Sequence, residues 1–196
     1  AFKKTVQTVS YLPYFISVVI VCGIIADFTA SDGVITDLIV RLGGERINYL
    51  GQPEYFRTIY VLSDMWQGIG FNSIIYLAAL SGIDQGLYEA AALDGANRWK
   101  QTLHVTLPGI ASTIIILLIL RMGSMFAVGY EKIILLYSTN TFETADVISS
   151  YVYRKGLQEF NYSYSTAVGL FNSLINTTLL VLSNKLSRKF SDTSLF

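Results

Sequence analysis

Apolar residues gather into four long runs, separated by stretches rich in glycine, charge or aromatic rings. A helix needs about 20 mostly apolar residues to cross the hydrocarbon core of a bilayer. The first run, residues 11–28, carries no charge before Asp27. The second, 59–83, holds Asp64 as its one charge; the third, 109–129, holds Arg121; the fourth, 167–186, holds Lys185. The pattern predicts an all-α, polytopic membrane protein with about four transmembrane helices in a single domain over 1–196. No run resembles a secretory signal peptide with a small-residue cleavage site. The chain opens on Ala rather than Met, so the expectation is that the native N-terminus lies upstream.

The intervening stretches differ in character. Residues 29–58 hold Gly33, Gly43, Gly44, Gly51 and Pro53 and read as a loop. In residues 130–166, Val147, Ile148, Tyr151, Val152 and Leu157 recur near helical spacing, which predicts a helix within 142–160. That helix is too short and too charged to span, and is expected at the interface. Its tyrosines fit two readings: an aromatic belt at headgroup depth, or faces on which a sugar stacks.

Residues 84–108 read DQGLYEAAALDGANRWKQTLHVTLP. Asp84 is placed to cap a helix running to about Leu93, with Leu87, Ala90 and Ala91 on one face. Asp94-Gly95 signals a turn, because glycine tolerates the left-handed conformation. A second helix follows over 97–105, with Trp99 and Leu103 four apart, and Leu107-Pro108 is expected to end it and start the next span. Two helices this short cannot bury an apolar face within the loop, so the face rests on lipid or on a partner.

Composition sharpens the membrane reading. Hydrophobic residues make up 52% of the chain and charged ones 14%, with a mean hydropathy of +0.47. Soluble domains carry about 25% charge. Lys+Arg and Asp+Glu both number 14, so the net charge is zero. A neutral, charge-poor chain is not a nucleic-acid binder, nor a disordered tail. One cysteine, Cys22, and one histidine, His104, leave no material for a disulfide framework or a Cys/His metal site. Cys22 reads as an apolar filler and His104 as structural. No metal or cofactor is expected. No G-x-x-x-x-G-K-[ST] loop is present to cradle a nucleotide, and Gly68-x-Gly70 reads as close helix packing inside a span. Neither a Ser/His pair nor two facing aspartates point to catalysis.

Lys and Arg set orientation. The side with the termini and residues 84–108 holds Lys3, Lys4, Arg98, Lys100, Lys185, Arg188 and Lys189, all near span ends; the other side holds six such residues. The first side has only the carboxylates Asp84, Glu89, Asp94 and Asp192. The termini and residues 84–108 are therefore expected in the cytoplasm, with 29–58 and 130–166 outside.

The spelling of residues 84–108 adds a resemblance. Glu89-Ala90-Ala91, then Gly95, then Val105-Thr106-Leu107-Pro108 resembles the EAA loop of binding-protein-dependent ABC importer permeases of type I, with Val105 where that family usually has Ile. Flanking Leu77-Ala78-Ala79-Leu80 and Asp94-Gly95-Ala96 fit as well. Tyr11-Leu12-Pro13-Tyr14-Phe15, residues 64–72 (DMWQGIGFN) and Glu143-Thr144-Ala145-Asp146 extend the likeness, most closely to permeases for sugars and oligosaccharides. Arg121, inside a span, departs from the apolar residue expected there.

The resemblance implies a membrane subunit of the bacterial inner (plasma) membrane, the C-terminal part of a six-span permease, two spans of which lie outside this chain. It implies partners: ABC ATPase subunits, a second permease subunit in a heterodimer, and an extracytoplasmic solute-binding protein, beside membrane lipid. ATP hydrolysis would fall to the partner ATPase, so this chain is not expected to be an enzyme. It implies that residues 84–108 dock in a cleft of the ATPase through Leu87, Ala91, Trp99 and Leu103, with Glu89 pairing an arginine there. Ala90 and Ala91 would allow close approach and Gly95 would hold the angle between the helices; Asp94, Ala96, Leu107 and Pro108 complete the residues the resemblance assigns to ATPase coupling.

Polar residues inside spans usually face the protein interior. Asp64, Trp66, Gln67, Asn72, Arg121, Asn172 and Asn176 are the candidates for a translocation path. Each could equally make interhelical hydrogen bonds. Asp64 and Arg121 have an offset of about 10 Å at 1.5 Å per residue, which leaves a direct pair open. A permease for another solute class, a membrane-embedded enzyme and a non-transporting anchor remain the competing classes. Co-purification of an ATPase separates the importer from the anchor.

Overall fold

The computed structural model describes residues 2–126 and 128–190, the side chains of Lys189 and Phe190 excepted. Asp192 and the side chain of Lys189, both in the charge comparison, lie outside the described residues, as does Ala127 of the third apolar run. The described residues are mostly helical, without strands. Contacts divide the chain into two compact units, Ala1–Phe71 with Phe126–Asn172, and Asn72–Met125 with Ser173–Phe196.

The first unit begins with α1, Phe2–Tyr11, and a 3₁₀ turn, Leu12–Phe15. Pro13 fits the first turn of a helix, where its missing N–H costs nothing. Ile16 is extended (ψ 134°), and α2 starts only at Val18, running to Thr29. The expected span over 11–28 is therefore not one helix: the proline turn and extended Ile16 break it. Residues 29–58 are not all loop, because α3 occupies Val34–Arg41 after a turn in which Gly33 N–H donates to Ala30 O at 2.9 Å. A long helix, α4 (Pro53–Ser81), follows, and its first part belongs to this unit.

Chain distant in sequence completes the unit. Helix α9 (Tyr130–Leu136) packs on α2, and Cys22, Phe56, Leu136 and Ala145 form the core. Gly70 of α4 lies so close to the Ser10 carbonyl that a β-carbon would overlap it. Beside this contact Tyr14 stacks on Phe71 at 3.9 Å between ring centroids. The span pattern had suggested one helix within 142–160; the structure has two, α10 (Phe142–Ala145) and α11 (Ile148–Tyr153), with Asp146-Val147 extended between them and a π turn, Arg154–Gln158, after them. Asp146 holds the start of α11: Ser150 Oγ donates to it at 2.6 Å and Arg154 pairs with it at 2.5 Å. Helix α12, Tyr162–Phe190, starts here and continues into the second unit.

The second unit holds α5 (Gln85–Leu93), α6 (Arg98–Gln101), a π turn (Thr102–Thr106), α7 (Leu107–Gly109) and α8 (Ala111–Gly123). Leu107-Pro108 does not end the second loop helix as expected. The helix runs on to Gly109, and the 59° bend falls between Gly109 and Ala111. Proline removes an N–H and crowds the preceding turn; the wider π turn, closed by Leu107 N–H to Thr102 O, makes room for it. Helix α8 stops at Gly123, short of the expected 129, where Ser124 turns the chain. Gly123 lies against Leu180, leaving no room for a β-carbon.

Two stretches are long and apolar enough to cross a membrane, Val18–Arg41 and Tyr162–Arg188, although the turn at 30–33 divides the first. The bent pair Arg98–Gly109 with Ala111–Gly123 makes a third if it acts as one span. Helix α4, expected as the span 59–83, has the length at 29 residues, but Asp64, Gln67 and Asn72 dilute its apolar character. On α12 the exposed surface is leucine-rich: Leu174 is 64% exposed, and Leu170, Leu182 and Leu186 are exposed with it, a face suited to hydrocarbon.

Candidate coupling loop and translocation path

Residues 84–108 build a rigid pair of helices from local signals. Asp84 Oδ1 accepts from Gly86 N–H at 3.0 Å, which caps α5. The end of α5 is a Schellman motif: Gly95 N–H donates to Ala92 O at 3.1 Å and Ala96 N–H to Ala91 O at 2.9 Å. Gly95 sits at φ +75°, a conformation that a side chain strains. Asn97 then caps α6, its Oδ1 accepting from Lys100 N–H at 2.9 Å. Two side-chain bonds tie the helices together. Tyr88 Oη and Thr106 Oγ1 lie 2.9 Å apart, and Gln101 Nε2 donates to Ala96 O at 3.2 Å.

This frame leaves the apolar anchors uncovered. Trp99 is 75% exposed, and Leu87, Leu103 and Leu107 are exposed as well. Glu89 and Ala90 are exposed, Ala91 and Ala96 half-buried, and Asp94 and Pro108 exposed. Glu89 forms no ion pair among the described residues. Among the described residues its carboxylate has no cationic partner, and the neighbouring apolar side chains stay largely open. His104 stays local, its Nδ1 3.1 Å from Lys100 O.

The seven path candidates do not gather into one site within either unit. In the first unit, Asp64 pairs with Lys132 of α9 at 3.6 Å. Trp66 lines an apolar groove of about 840 Å³ with Phe28, Ile39, Tyr55 and Leu62. Gln67 Nε2 donates to Ile16 O at 3.3 Å, satisfying the carbonyl bared by the break before α2. Asn172 lines a separate recess of about 450 Å³ beside Tyr130 and Tyr153. In the second unit, Asn72 and Arg121 are exposed and Asn176 is half-buried. Arg121 makes no ion pair among the described residues.

Lys132 is the residue that the sequence pattern missed. Its side chain is only 6% exposed, with Nζ 5.6 Å from the Tyr60 ring centroid and its carbonyl 3.9 Å from Cys22 Sγ. In sequence it counts as one more cation of residues 130–166. The signal lay in its spacing: Lys132, Ile133 and Leu136 share a helix face, and all three are buried.

Comparison with known proteins places this architecture. The family model described as "Binding-protein-dependent transport system inner membrane component" matches residues 2–192. The chain is 44% identical over 196 residues to the polygalacturonan/rhamnogalacturonan transport system permease protein YteP of Bacillus subtilis (strain 168). It is 43% identical to Protein LplB of the same organism, and all of this chain is covered in both comparisons. The chain spans 61% and 62% of those two relatives' own lengths. Among solved structures it resembles a chain of a bacterial alginate ABC transporter in complex with an alginate pentasaccharide-bound periplasmic protein, with a TM-score of 0.95 and 46% identity, covering 99% of this chain and 68% of that one. A second structure, of a bacterial ABC transporter involved in the import of the acidic polysaccharide alginate, gives 0.93 and 47%, covering 96% and 66%. With its all-helical fold and the family match over nearly its whole length, the chain belongs to the binding-protein-dependent transport system inner membrane components.

Proposed function

We propose that this chain is part of the membrane-spanning permease of an ATP-driven importer, that it forms a share of the path for an oligosaccharide, and that residues 84–108 couple it to the ATPase. The observation that carries the reading is the loop itself: a capped, cross-tied helix pair that leaves Leu87, Trp99, Leu103 and Glu89 uncovered. Apolar anchors on a rigid helix suit a hydrophobic groove, and a free carboxylate suits an arginine. Driven by ATPase closure, such a pair moves as one body and rocks the helices attached to it.

The remaining parts follow from the same reading. An extracytoplasmic binding protein delivers the solute, and a second permease subunit completes the path as a heterodimer. The termini and residues 84–108 face the cytoplasm, with the spans near residues 18–41, 59–83, 109–123 and 162–188. The relatives named for polygalacturonan, rhamnogalacturonan and alginate make acidic oligosaccharides the first solutes to test. Asp64, Trp66, Gln67, Asn72, Arg121, Asn172 and Asn176 are the polar and aromatic groups offered to the path.

The test is co-purification joined to uptake. Wild-type chain, expressed with its operon's ATPase, brings that ATPase down and supports uptake of labelled oligogalacturonate. Glu89→Lys reverses the proposed ion pair and loses both while the chain stays in the membrane. Normal uptake and ATPase recovery by Glu89→Lys refutes the docking role, and a wild type that recovers no ATPase favours an anchor instead.

A further inference from the structure

The recess beside Asn172 is built for a particular chemistry. Tyr130 and Tyr153 line it, with ring centroids 5.7 Å apart and planes 28° from parallel, and Tyr162 joins them. Its polar groups present acceptors. Ser149 Oγ already donates to Val128 O, Ser165 Oγ to Val152 O and Thr166 Oγ1 to Tyr162 O, which leaves each hydroxyl oxygen its lone pairs. Asn172 Oδ1 is buried and accepts no hydrogen bond among the described residues. An acceptor in that position is costly unless a donor reaches it. No charged side chain lines the recess. Its volume of about 450 Å³ lies within the ~300–1,000 Å³ usual for small-molecule sites.

From this we infer that the recess is a sugar subsite of the permease, holding one pyranose ring by its C–H face on tyrosine and by hydroxyl donors to Asn172 Oδ1. The inference rests on the proposed transport role and deepens it. Aromatic rings with acceptors suit a ligand that is apolar on one face and rich in O–H donors around its edge. The absence of charge from the lining turns away a carboxylate, so an acidic oligosaccharide would place a hydroxyl-bearing edge here and keep its carboxylates outside. Hydrocarbon from a lipid would satisfy the rings but leave the Asn172 oxygen bare.

Gly169 supplies the means of testing this. It lines the recess, and a β-carbon there meets no atom within 4 Å, so a larger side chain grows into open space rather than into packed neighbours. The experiment uses the transporter assembled with its ATPases in lipid nanodiscs, and saturation-transfer difference NMR with two probes, trigalacturonate and neutral galactotriose. Wild type is expected to transfer saturation to ring C–H protons of both probes. Gly169→Leu is expected to lower the transfer at least fivefold, and Asn172→Leu to lower it while the ATPases still co-purify with each variant. Wild-type transfer that Gly169→Leu leaves unchanged overturns the subsite, as does binding of the charged probe alone. Loss of a co-purified lipid from Gly169→Leu, without any change in sugar signal, assigns the recess to lipid and overturns it as well. Failure of the transport reading shows differently: the wild type then recovers no ATPase and supports no uptake.

Discussion

A lysine with 6% of its side chain exposed needs a counter-charge, and Lys132 has Asp64 at 3.6 Å. That distance makes an ion pair without a hydrogen bond, and Nζ has no hydrogen-bond acceptor among the described residues. The pair is lopsided, since Asp64 is 59% exposed and keeps much of its solvation. Removing the carboxylate strands the buried ammonium. Asp64→Asn is expected to destabilise the first unit by about 1–2 kcal/mol, short of the ~3–5 kcal/mol of a fully buried pair because Asp64 is mostly exposed. Adding Lys132→Met should restore the loss, which thermal unfolding of the purified chain measures. A double variant no more stable than Asp64→Asn would show that the pair is not what Lys132 relies on. Gly70 carries a second residue-scale expectation. Gly70→Ala must push α1 off α4, whereas Gly23→Ala meets open space and should leave the unfolding temperature within a degree or two. The G-x-G spacing inside a span showed that helices pack closely there. It could not show that the surface met is the Ser10 carbonyl, because that contact joins segments 60 residues apart.

The helix pair of residues 84–108 works as an element because its turn admits one backbone geometry. Gly95 at φ +75° makes Gly95→Val strained by roughly 1–2 kcal/mol, with Gly95→Asn milder. ATPase recovery and uptake should fall in that order, Val before Asn, and equal recovery from both would separate the angle of the turn from coupling. Trp99, at 75% exposed, contributes little to the folded chain itself. Trp99→Ala should therefore leave thermal unfolding unchanged while weakening ATPase docking tenfold or more, as loss of a central aromatic anchor does. This pair was legible in sequence at the Asp84 cap and the Asp94-Gly95 turn, which act through neighbours within five residues; that Asn97 caps the second helix rather than opening it came from the structure. Pro108 was misread for the opposite reason. A proline signals that a helix is disturbed, not whether a π turn absorbs the disturbance.

In the first unit, α11 depends on a cap that spans eight residues. Burial alone would raise the Asp146 pKa. Hydrogen bonds from Arg154 and Ser150, with the charge of Arg154, outweigh that and hold the carboxyl below its usual range. A lowered carboxylate pKa stabilises the fold above the ordinary value of about 3.9 and stops doing so as pH falls through the lower, folded value. Thermal stability should therefore drop below about pH 4, and Asp146→Asn should be less stable at neutral pH with a flatter acid limb. An unchanged acid limb in Asp146→Asn would assign the pH dependence to other carboxylates.

At the scale of the whole molecule, the proposed orientation puts residue 100 in the cytoplasm and residue 155 outside. Cys22 is buried at 4% exposure, so an impermeant thiol reagent reports an introduced cysteine against a quiet background. Lys100→Cys should label only from the cytoplasmic face and Lys155→Cys only from the outer face. Labelling of position 155 from the cytoplasm would invert the arrangement.

The all-helical membrane character, the apolar runs and the Asp84-capped loop with its Asp94-Gly95 turn are properties of the sequence alone. Each depends on side chains acting within a few residues, or on a sum over one helix that a bilayer reads as thickness and polarity. Where helices break, what Lys132 and Gln67 satisfy, and which polar residues share a recess were decided by tertiary structure. Gln67 finds the Ile16 carbonyl 51 residues away; Lys132 reads as a surface charge in sequence and is buried where α9 packs on α2. Asn172 and Tyr130 lie 42 residues apart and line one recess because α11 packs on α9 and receives the Ser165 hydroxyl of α12 at the Val152 carbonyl. A local pattern states that a polar group needs a partner, but the partner is supplied by chain that folding brings from far along the sequence.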